Sequence, residues 1–363
     1  MRVVGRQLIW AIIAVLTVAG CSSGGGSTPA ASQTAATTGT TTKVSPDGWV
    51  EEEVSFVADG LTIYGTYRHG AGAPGPAALL ISESGNTDRN GDNAVAGPVG
   101  NMRQLAEYLS GKGIASLRYD KVGTGKTGIG PYASRPADVG SAVYTSGAKA
   151  AVRFLASKPG SDKSHISVYA LGEGTVHAMA LATDTAPDAP KVHSLGLFQP
   201  LSGRYLDIIT ARVHNSVEAD AASGAKTRQQ ADDVVNAWAA AVAEARTKGT
   251  APAKLPEGLG AILNPGNVKA VVEADAIDPL ALAAKVSPGT PVLLTCSDSD
   301  SQANCPAEQA LVTALGHTAL TVVDLKGVNH VLRDDPTDNV ANYSKQDPLS
   351  PQLVAALDAF VGK

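Results

Sequence analysis

The chain has 363 residues, of which 44% are hydrophobic and 17% are charged, and its formal net charge is −5. This length allows one large α/β domain or two small ones, with a substantial core. The slightly acidic balance gives no electrostatic reason to expect nucleic acid or an anionic membrane surface as a partner, so we expect no nucleic-acid binding.

The N-terminus has the organisation of an export signal. Arg2 and Arg6 precede an apolar stretch that is too short to span a membrane as a helix. The stretch ends in Val-Ala-Gly followed by Cys21. This resembles a bacterial lipobox, whose cysteine is lipidated and becomes the mature N-terminus. An ordinary secretory signal with an incidental cysteine is the alternative. We therefore predict a lipoprotein signal peptide over residues 1–20 and acyl chains, palmitate among them, on Cys21.

The residues after Cys21 are almost all Ser, Gly, Thr and Ala. They predict a flexible linker, so that residues 21–47 tether a domain over residues 48–363 to the outer side of the cell membrane. Export also bears on Cys296 and Cys305, which an oxidising compartment favours as a disulfide. Metal binding is the weaker alternative, since two cysteines with no histidine nearby make a poor site.

The pattern of the first half of the domain alternates between strands and helices. Residues 54–67 predict a β-hairpin that turns at Asp59-Gly60. An apolar run predicts a strand over residues 77–81, further strands are predicted over residues 115–119, 166–171 and 192–198, and helical stretches are predicted over residues 102–109 and 141–155. Strands separated by helices indicate βαβ units and a mostly parallel sheet.

The pattern changes after the strand predicted over residues 192–198. Residues 201–276 contain helices and no convincing strand, and we interpret them as a helical cap inserted over the sheet edge. One helical face is formed by Ala231, Val234, Val235, Trp238 and Val242. The alternation then resumes, with strands predicted over residues 292–296 and 320–325 and helices over residues 307–315 and 351–361.

Residues 166–178 are organised as a strand, a tight glycine turn and a helix. This is the plan of a nucleophile elbow, in which a strained turn lifts one side chain above the end of a parallel sheet. The usual spacing is small-x-Ser-x-Gly, and here it is Ala-Leu-Gly-Glu-Gly with Gly172 at the tip. Glycine has no side chain with which to attack a substrate.

Several other segments follow in an order that resembles the α/β-hydrolase superfamily. They are Glu-Ser-Gly-Asn-Thr-Asp-Arg-Asn-Gly at residues 83–91, Arg-Tyr-Asp-Lys-Val-Gly at 118–123, Asp-Ser-Gln at 300–302 and Asn-His-Val-Leu at 329–332. The resemblance runs from about residue 54 to the C-terminus and is to a bacterial branch of secreted or lipid-anchored esterases and serine-aminopeptidase-like hydrolases. It implies a mostly parallel central sheet flanked by helices, with a helical cap.

The resemblance also implies two members of a Ser–Asp–His triad, with Asp300 as the acid and His330 as the base. Asp298 is an alternative acid by register, although the match at Gln302 favours Asp300. The base matters because a serine hydroxyl is too weakly acidic to attack unless its proton is taken. Gly172 replaces the third member.

The oxyanion loop implied by the resemblance comprises Glu83, Ser84 and Gly85, with Glu173 beside the elbow tip. Glu83 stands where relatives have glycine, and a carboxylate there opposes a developing oxyanion. We interpret Glu83 and Gly172 as two independent changes that both argue against acyl transfer.

We therefore predict an envelope lipoprotein that is impaired or inactive in serine-type acyl hydrolysis and is retained to bind a small acyl or peptide-like ligand, or a protein partner. The alternative is an active esterase or amidase that uses a non-standard nucleophile or a water activated by His330. A third interpretation is a purely structural envelope protein. No cofactor or metal is expected, because the Gly-Thr-Gly-Lys-Thr segment at 123–127 lacks the spacing of a phosphate-binding loop.

Overall fold

The protein is described here from a computed structural model, which covers residues 42–256, 258–300 and 302–361. Its strands are β1 (Thr42–Val44), β2 (Val50–Ala58), β3 (Leu61–His69), β4 (Gly75–Ile81), β5 (Ala115–Tyr119), β6 (Ser161–Leu171), β7 (Val192–Phe198), β8 (Pro291–Ser297) and β9 (Ala319–Leu325). They form one sheet in the order β1-β2-β3-β5-β4-β6-β7-β8-β9. The first three strands are antiparallel to their neighbours, and β5, β4 and β6 to β9 are mutually parallel.

The β2–β3 hairpin turns at Asp59 and Gly60, as predicted. Both residues have positive φ, +48° and +78°, which is the backbone of the tight hairpin turn that suits the right-handed twist of two strands. The sheet begins at β1, which pairs with β2 and lies within the predicted linker.

Ten helices occur in the described residues. They are α1 (Asn101–Gly111), α2 (Ser141–Ser157), α3 (Gly174–Ala182), α4 (Tyr205–Ala222), α5 (Arg228–Lys248), α6 (Leu259–Ile262), α7 (Val268–Ala276), α8 (Pro279–Ala283), α9 (Cys305–Ala314) and α10 (Pro351–Phe360). Each strand and helix predicted from the sequence is present, within a few residues at its ends. The short elements β1 and α8 were not predicted.

Both faces of the parallel sheet are buried. In β4, Ala77, Leu79 and Ile81 pack with residues of α2, α3 and α9, whereas Ala78 and Leu80 pack with residues of α1 and α10. Strands buried on both faces read as continuous apolar runs rather than as alternating patterns. This explains why the sequence marks these strands so clearly.

The four helices α4 to α7 occupy the stretch predicted as a cap and share a hydrophobic cluster of their own. Trp238 is fully buried at its centre and donates a hydrogen bond from Nε1 to Thr210 Oγ1 at 3.0 Å. Arg246 on α5 is bonded to Asp275 on α7 at 2.8 Å. The cap is therefore a packed unit held by apolar contacts and an ion pair.

No helix among the described residues is both long enough and apolar enough to cross a membrane. The predicted signal peptide and Cys21 lie outside the described residues. Their assignment stays a prediction.

Candidate active site

The predicted elbow is present as a strand, a turn and a helix. Strand β6 ends at Leu171, Gly172 has a φ of +54°, and α3 begins at Gly174. The N–H of Gly172 donates to the carbonyl of Phe198 at 3.0 Å, and its carbonyl accepts from the Thr175 hydroxyl at 2.6 Å. The turn is thus fixed at the carboxyl end of the sheet, in a left-handed conformation that favours glycine.

Two loops at the same sheet edge bring Asp300 and His330 together. Asp300 follows β8, His330 follows β9, and Asp300 Oδ2 lies 2.8 Å from His330 Nδ1. The other carboxylate oxygen accepts from the N–H groups of Gln302 and Ala303 at 2.6 and 3.0 Å. Asp298 is half exposed and bonds to the N–H of Gly327 instead. Asp300 is therefore the carboxylate that orients the imidazole.

Cys296 and Cys305 form the predicted disulfide. Cys296 lies in β8 and Cys305 begins α9, with 5.0 Å between their Cα atoms. The bond closes the loop that carries Asp300, so it restrains the position of that carboxylate.

Glu83 occupies the place that the elbow would give to a nucleophile. Its Oε2 lies 2.9 Å from His330 Nε2. Its Oε1 accepts from the N–H of Ser84 at 2.6 Å and from the N–H of Glu173 at 3.3 Å. The usual oxyanion-hole donors are the N–H of the residue after the nucleophile and an N–H of the loop that here follows β4. One side chain therefore fills the nucleophile position and meets the donors of the oxyanion hole.

Glu83 and Gly172 are sterically linked. A Cβ atom on Gly172 would lie 1.6 Å from Glu83 Oε2 and 2.3 Å from its Cδ. The carboxylate can stay on His330 only because residue 172 has no side chain. Our interpretation of Glu83 and Gly172 as two independent changes was wrong, because the residue at each position limits which residues fit at the other.

The charges in this cluster reinforce one another. Burial by itself would raise the pKa of Glu83, but the hydrogen bond and charge of His330, together with the bonds from Ser84, lower it to about 2. Burial by itself would lower the pKa of His330, but Asp300 and Glu83 raise it well above its usual value. At neutral pH the arrangement is an imidazolium held between two carboxylates.

No protein-family profile and no curated protein matches this chain. Solved structures do. An esterase of Pyrococcus furiosus is similar at a TM-score of 0.52 and 17% identity, over 86% of this chain and 91% of that one. The nine-stranded sheet and this likeness decide the architecture. The protein has the α/β-hydrolase fold.

Two further structures with this fold are similar over most of their length. DcsB, solved with its substrate analogue, gives a TM-score of 0.55 at 15% identity over 86% of this chain and 99% of that one. Est1E of Butyrivibrio proteoclasticus, solved with ferulic acid, gives 0.52 at 15% identity over 85% of this chain and all of that one. At such identities the likeness shows the α/β-hydrolase fold alone.

The loop that carries Glu83 is fixed in this fold by a buried ion pair. Arg89 contacts both carboxylate oxygens of Asp120, at 3.0 and 2.7 Å, and its own N–H donates to the same carboxylate. Bidentate pairs of this kind are strong and directional. The Asp-Arg and Arg-Tyr-Asp-Lys segments noticed in the sequence therefore have a shared structural purpose, which is to hold the loop after β4 against β5.

Two basic residues near the site were missed by the sequence reasoning. Lys121 is buried and donates from Nζ to the carbonyl of Glu83. Arg212 reaches in from α4 of the cap and donates to the carbonyl of Gln302 at 3.3 Å. Burial lowers the pKa of both side chains, and the negative charge of Glu83 offsets only part of this shift. The signal for Lys121 was a lysine two residues after a buried strand, whereas nothing in the cap sequence distinguishes Arg212.

A small cavity lies beside the elbow on the cap side. Its volume is about 20 Å³, and Ser141, Glu173 and Tyr205 contribute to its lining. This is room for about one water molecule, whereas sites for drug-sized ligands span roughly 300–1,000 Å³. Burial raises the pKa of the Glu173 carboxyl that faces it. At this size the cavity does not accommodate an acyl substrate.

Proposed function

We propose that this protein is a lipid-anchored protein of the cell envelope whose α/β-hydrolase-fold domain no longer performs serine-type acyl hydrolysis. In this proposal the domain is retained to bind a ligand or a protein partner on the outer side of the membrane. The observation that carries it is the Glu83 carboxylate, which lies on His330 where a serine hydroxyl would lie in an active relative.

Three requirements of acyl transfer bear on the proposal, beginning with the nucleophile. Gly172 supplies no side chain, and the nearby hydroxyls of Ser82 and Thr175 donate to backbone carbonyls at 3.0 and 2.6 Å. Both ring nitrogens of His330 face carboxylates. A hydroxyl that is not bonded to the base is not activated as a nucleophile.

The second and third requirements are a free base and a free oxyanion hole. A base needs an unprotonated nitrogen whose lone pair accepts the incoming proton, and an imidazolium between two carboxylates has none. The hole must offer donors to a developing negative charge, and here the N–H groups of Ser84 and Glu173 already bond to a carboxylate. All three requirements point against serine-type hydrolysis.

The proposal is tested with purified wild-type protein, a fluorophosphonate probe for reactive serines and a panel of short acyl esters. We expect no covalent labelling and no turnover above that of a His330→Ala control. Labelling of any pocket residue, or turnover that disappears in His330→Ala, would refute the loss of activity.

The alternative is a hydrolase that uses Glu83 as the attacking carboxylate or a water activated by His330. The position of Glu83 Oε2 at the elbow tip favours it. Attack by Glu83 would require it to leave three hydrogen-bond donors, however, and His330 would have to lose a proton that two carboxylates stabilise. This alternative predicts ester turnover that is lost in both Glu83→Gln and His330→Ala.

Membrane anchoring rests on the lipobox-like sequence that ends at Cys21. We expect metabolic incorporation of a palmitate analogue into the wild-type protein in bacterial cells, and its loss in Cys21→Ser. A Cys21→Ser protein that still fractionates with membranes and carries the label would contradict the proposed anchor.

A further inference from the structure

The carboxylate of Glu83 is held as a bound ligand would be. Ser84 N–H and Glu173 N–H donate to one oxygen at 2.6 and 3.3 Å, and His330 Nε2 lies 2.9 Å from the other. The donors come from three separate parts of the chain, namely the loop after β4, the elbow and the loop after β9. Hydrogen bonds to an ionised carboxylate are stronger than neutral ones. We call this set of three donors the carboxylate cradle.

The surroundings of the cradle favour a negative charge within it. The charged groups that interact there are the basic side chains of Lys121, Arg212 and His330 and the carboxyls of Asp300, Glu173 and Asp338. If the Glu83 carboxylate were absent, the His330 imidazolium would lose one of the two carboxylates that its ring nitrogens face. Opposite charge in a partly buried site attracts a replacement anion more strongly than at the surface.

The size of the replacement follows from the chemistry of the side chain. Replacing Glu83 by alanine removes one methylene group and one carboxylate, and acetate consists of one methyl group and one carboxylate. Gly172 adds no atoms to the vacated space, because its missing Cβ is what makes room for Oε2. Acetate therefore has the same heavy atoms as the part of the side chain that is removed, and it restores both oxygens to the donors of the cradle.

We propose that the carboxylate cradle is a binding site for short carboxylic acids, with Glu83 as its internal occupant. An acid from outside binds when the Glu83 side chain swings out, so Glu83 sets how tightly the site binds. This rests on the proposed function, because a site that formed acyl-enzyme intermediates would use the same donors for its oxyanion. In the wild type the external acid competes with a carboxylate that is already tethered, which weakens its apparent affinity.

The test compares wild type, Glu83→Ala and Glu83→Gln in sodium acetate, with sodium chloride at equal ionic strength as the control. Binding is measured by calorimetry and by the ¹⁵N chemical shifts of the His330 ring. We expect saturable acetate binding by Glu83→Ala that is about tenfold or more tighter than by wild type. Glu83→Gln keeps the cradle filled by an uncharged amide, so we expect it to bind acetate no better than wild type.

A second variant shows where acetate binds. Glu83→Ala combined with His330→Gln lacks the cation of the cradle, and we expect it to lose the acetate response. If Glu83→Ala is too unstable to purify, its refolding yield is measured instead, and acetate but not chloride should increase it. A response to acetate equal to that of chloride, in binding or in refolding, would overturn the proposal. Labelling of wild type by a serine probe would refute the proposed function through a separate measurement.

Discussion

Replacement of Gly172 by alanine tests the steric link between the elbow and Glu83. The added Cβ would lie 1.6 Å from Glu83 Oε2, so the carboxylate has to leave His330. Two costs follow. An alanine at a φ of +54° costs about 1–2 kcal/mol, and the loss of a hydrogen bond to a charged partner costs about 1.5–3 kcal/mol. We expect Gly172→Ala to lower the free energy of unfolding by about 2.5–5 kcal/mol in total.

The same substitution is expected to cost far less when Glu83 is already alanine. Only the backbone cost of about 1–2 kcal/mol then remains, which leaves a coupling energy of about 1.5–3 kcal/mol between the two positions. The assay is urea unfolding of the four proteins of this double-mutant cycle. Gly289→Ala is the matched control, because Gly289 has a φ of +74° and nothing lies within 4 Å of the added Cβ. Additive effects within about 0.5 kcal/mol would refute the link.

Three further predictions concern the charges and the bonds that hold the site. The pKa of the Glu83 carboxyl is lowered from its ordinary value of 4.5 to about 2. Its ionised form therefore stabilises the folded state fully above pH 4.5, and this stabilisation is lost as the pH falls toward 2. We expect Glu83→Gln to destabilise by about 3 kcal/mol between pH 4.5 and 6.5, and by less at pH 3, in urea unfolding. Replacing both Cys296 and Cys305 by serine should lower the unfolding free energy by about 2–3 kcal/mol. Asp120→Asn should destabilise by about 3 kcal/mol, measured the same way, because the buried Arg89 loses its bidentate carboxylate and keeps only the ion pair with the partly exposed Glu53.

Each of these has an outcome that contradicts it. A Glu83→Gln effect that is the same at pH 3 and pH 6 would mean that the carboxylate is not ionised by its partners. Above pH 6.5 the effect should shrink again, since the stabilisation from His330, whose pKa is raised, is lost as the pH rises through that pKa. Equal stability of the oxidised protein and the double serine variant would contradict the role of the disulfide. An Asp120→Asn protein as stable as wild type would show that the loop after β4 is held by other contacts.

The elements of the fold could be predicted because their sequence signals are local. Residues 77–81 are an apolar run typical of a strand buried on both faces, and Asp59-Gly60 is a turn whose backbone needs residues that tolerate positive φ. The strand β1 escaped prediction because three residues of Thr-Lys-Val, exposed at the sheet edge, carry no pattern.

The sequence predicted where the site residues lie, but not which atoms they contact. The motifs placed Asp300, His330, Gly172 and Glu83 at one sheet edge, and they lie there. The direction of the Glu83 side chain was not readable, because it depends on the empty space above a residue 89 positions away. For the same reason the sequence suggested an electrostatic obstacle to catalysis, whereas the structure has a carboxylate that also fills the nucleophile position.

Hydrolysis of a short acyl ester by wild type, Gly172→Ser and the Glu83→Ala/Gly172→Ser double variant tests the central claim most directly. The claim is that the Glu83 carboxylate occupies an inherited nucleophile site. Gly172→Ser alone should stay silent, because the serine and Glu83 compete for one space. The double variant should gain turnover of about 10²-fold or more over wild type, since serine then meets the His330 base, and His330→Ala should abolish the gain. Activity of Gly172→Ser alone, or a folded double variant no more active than wild type, would contradict the claim.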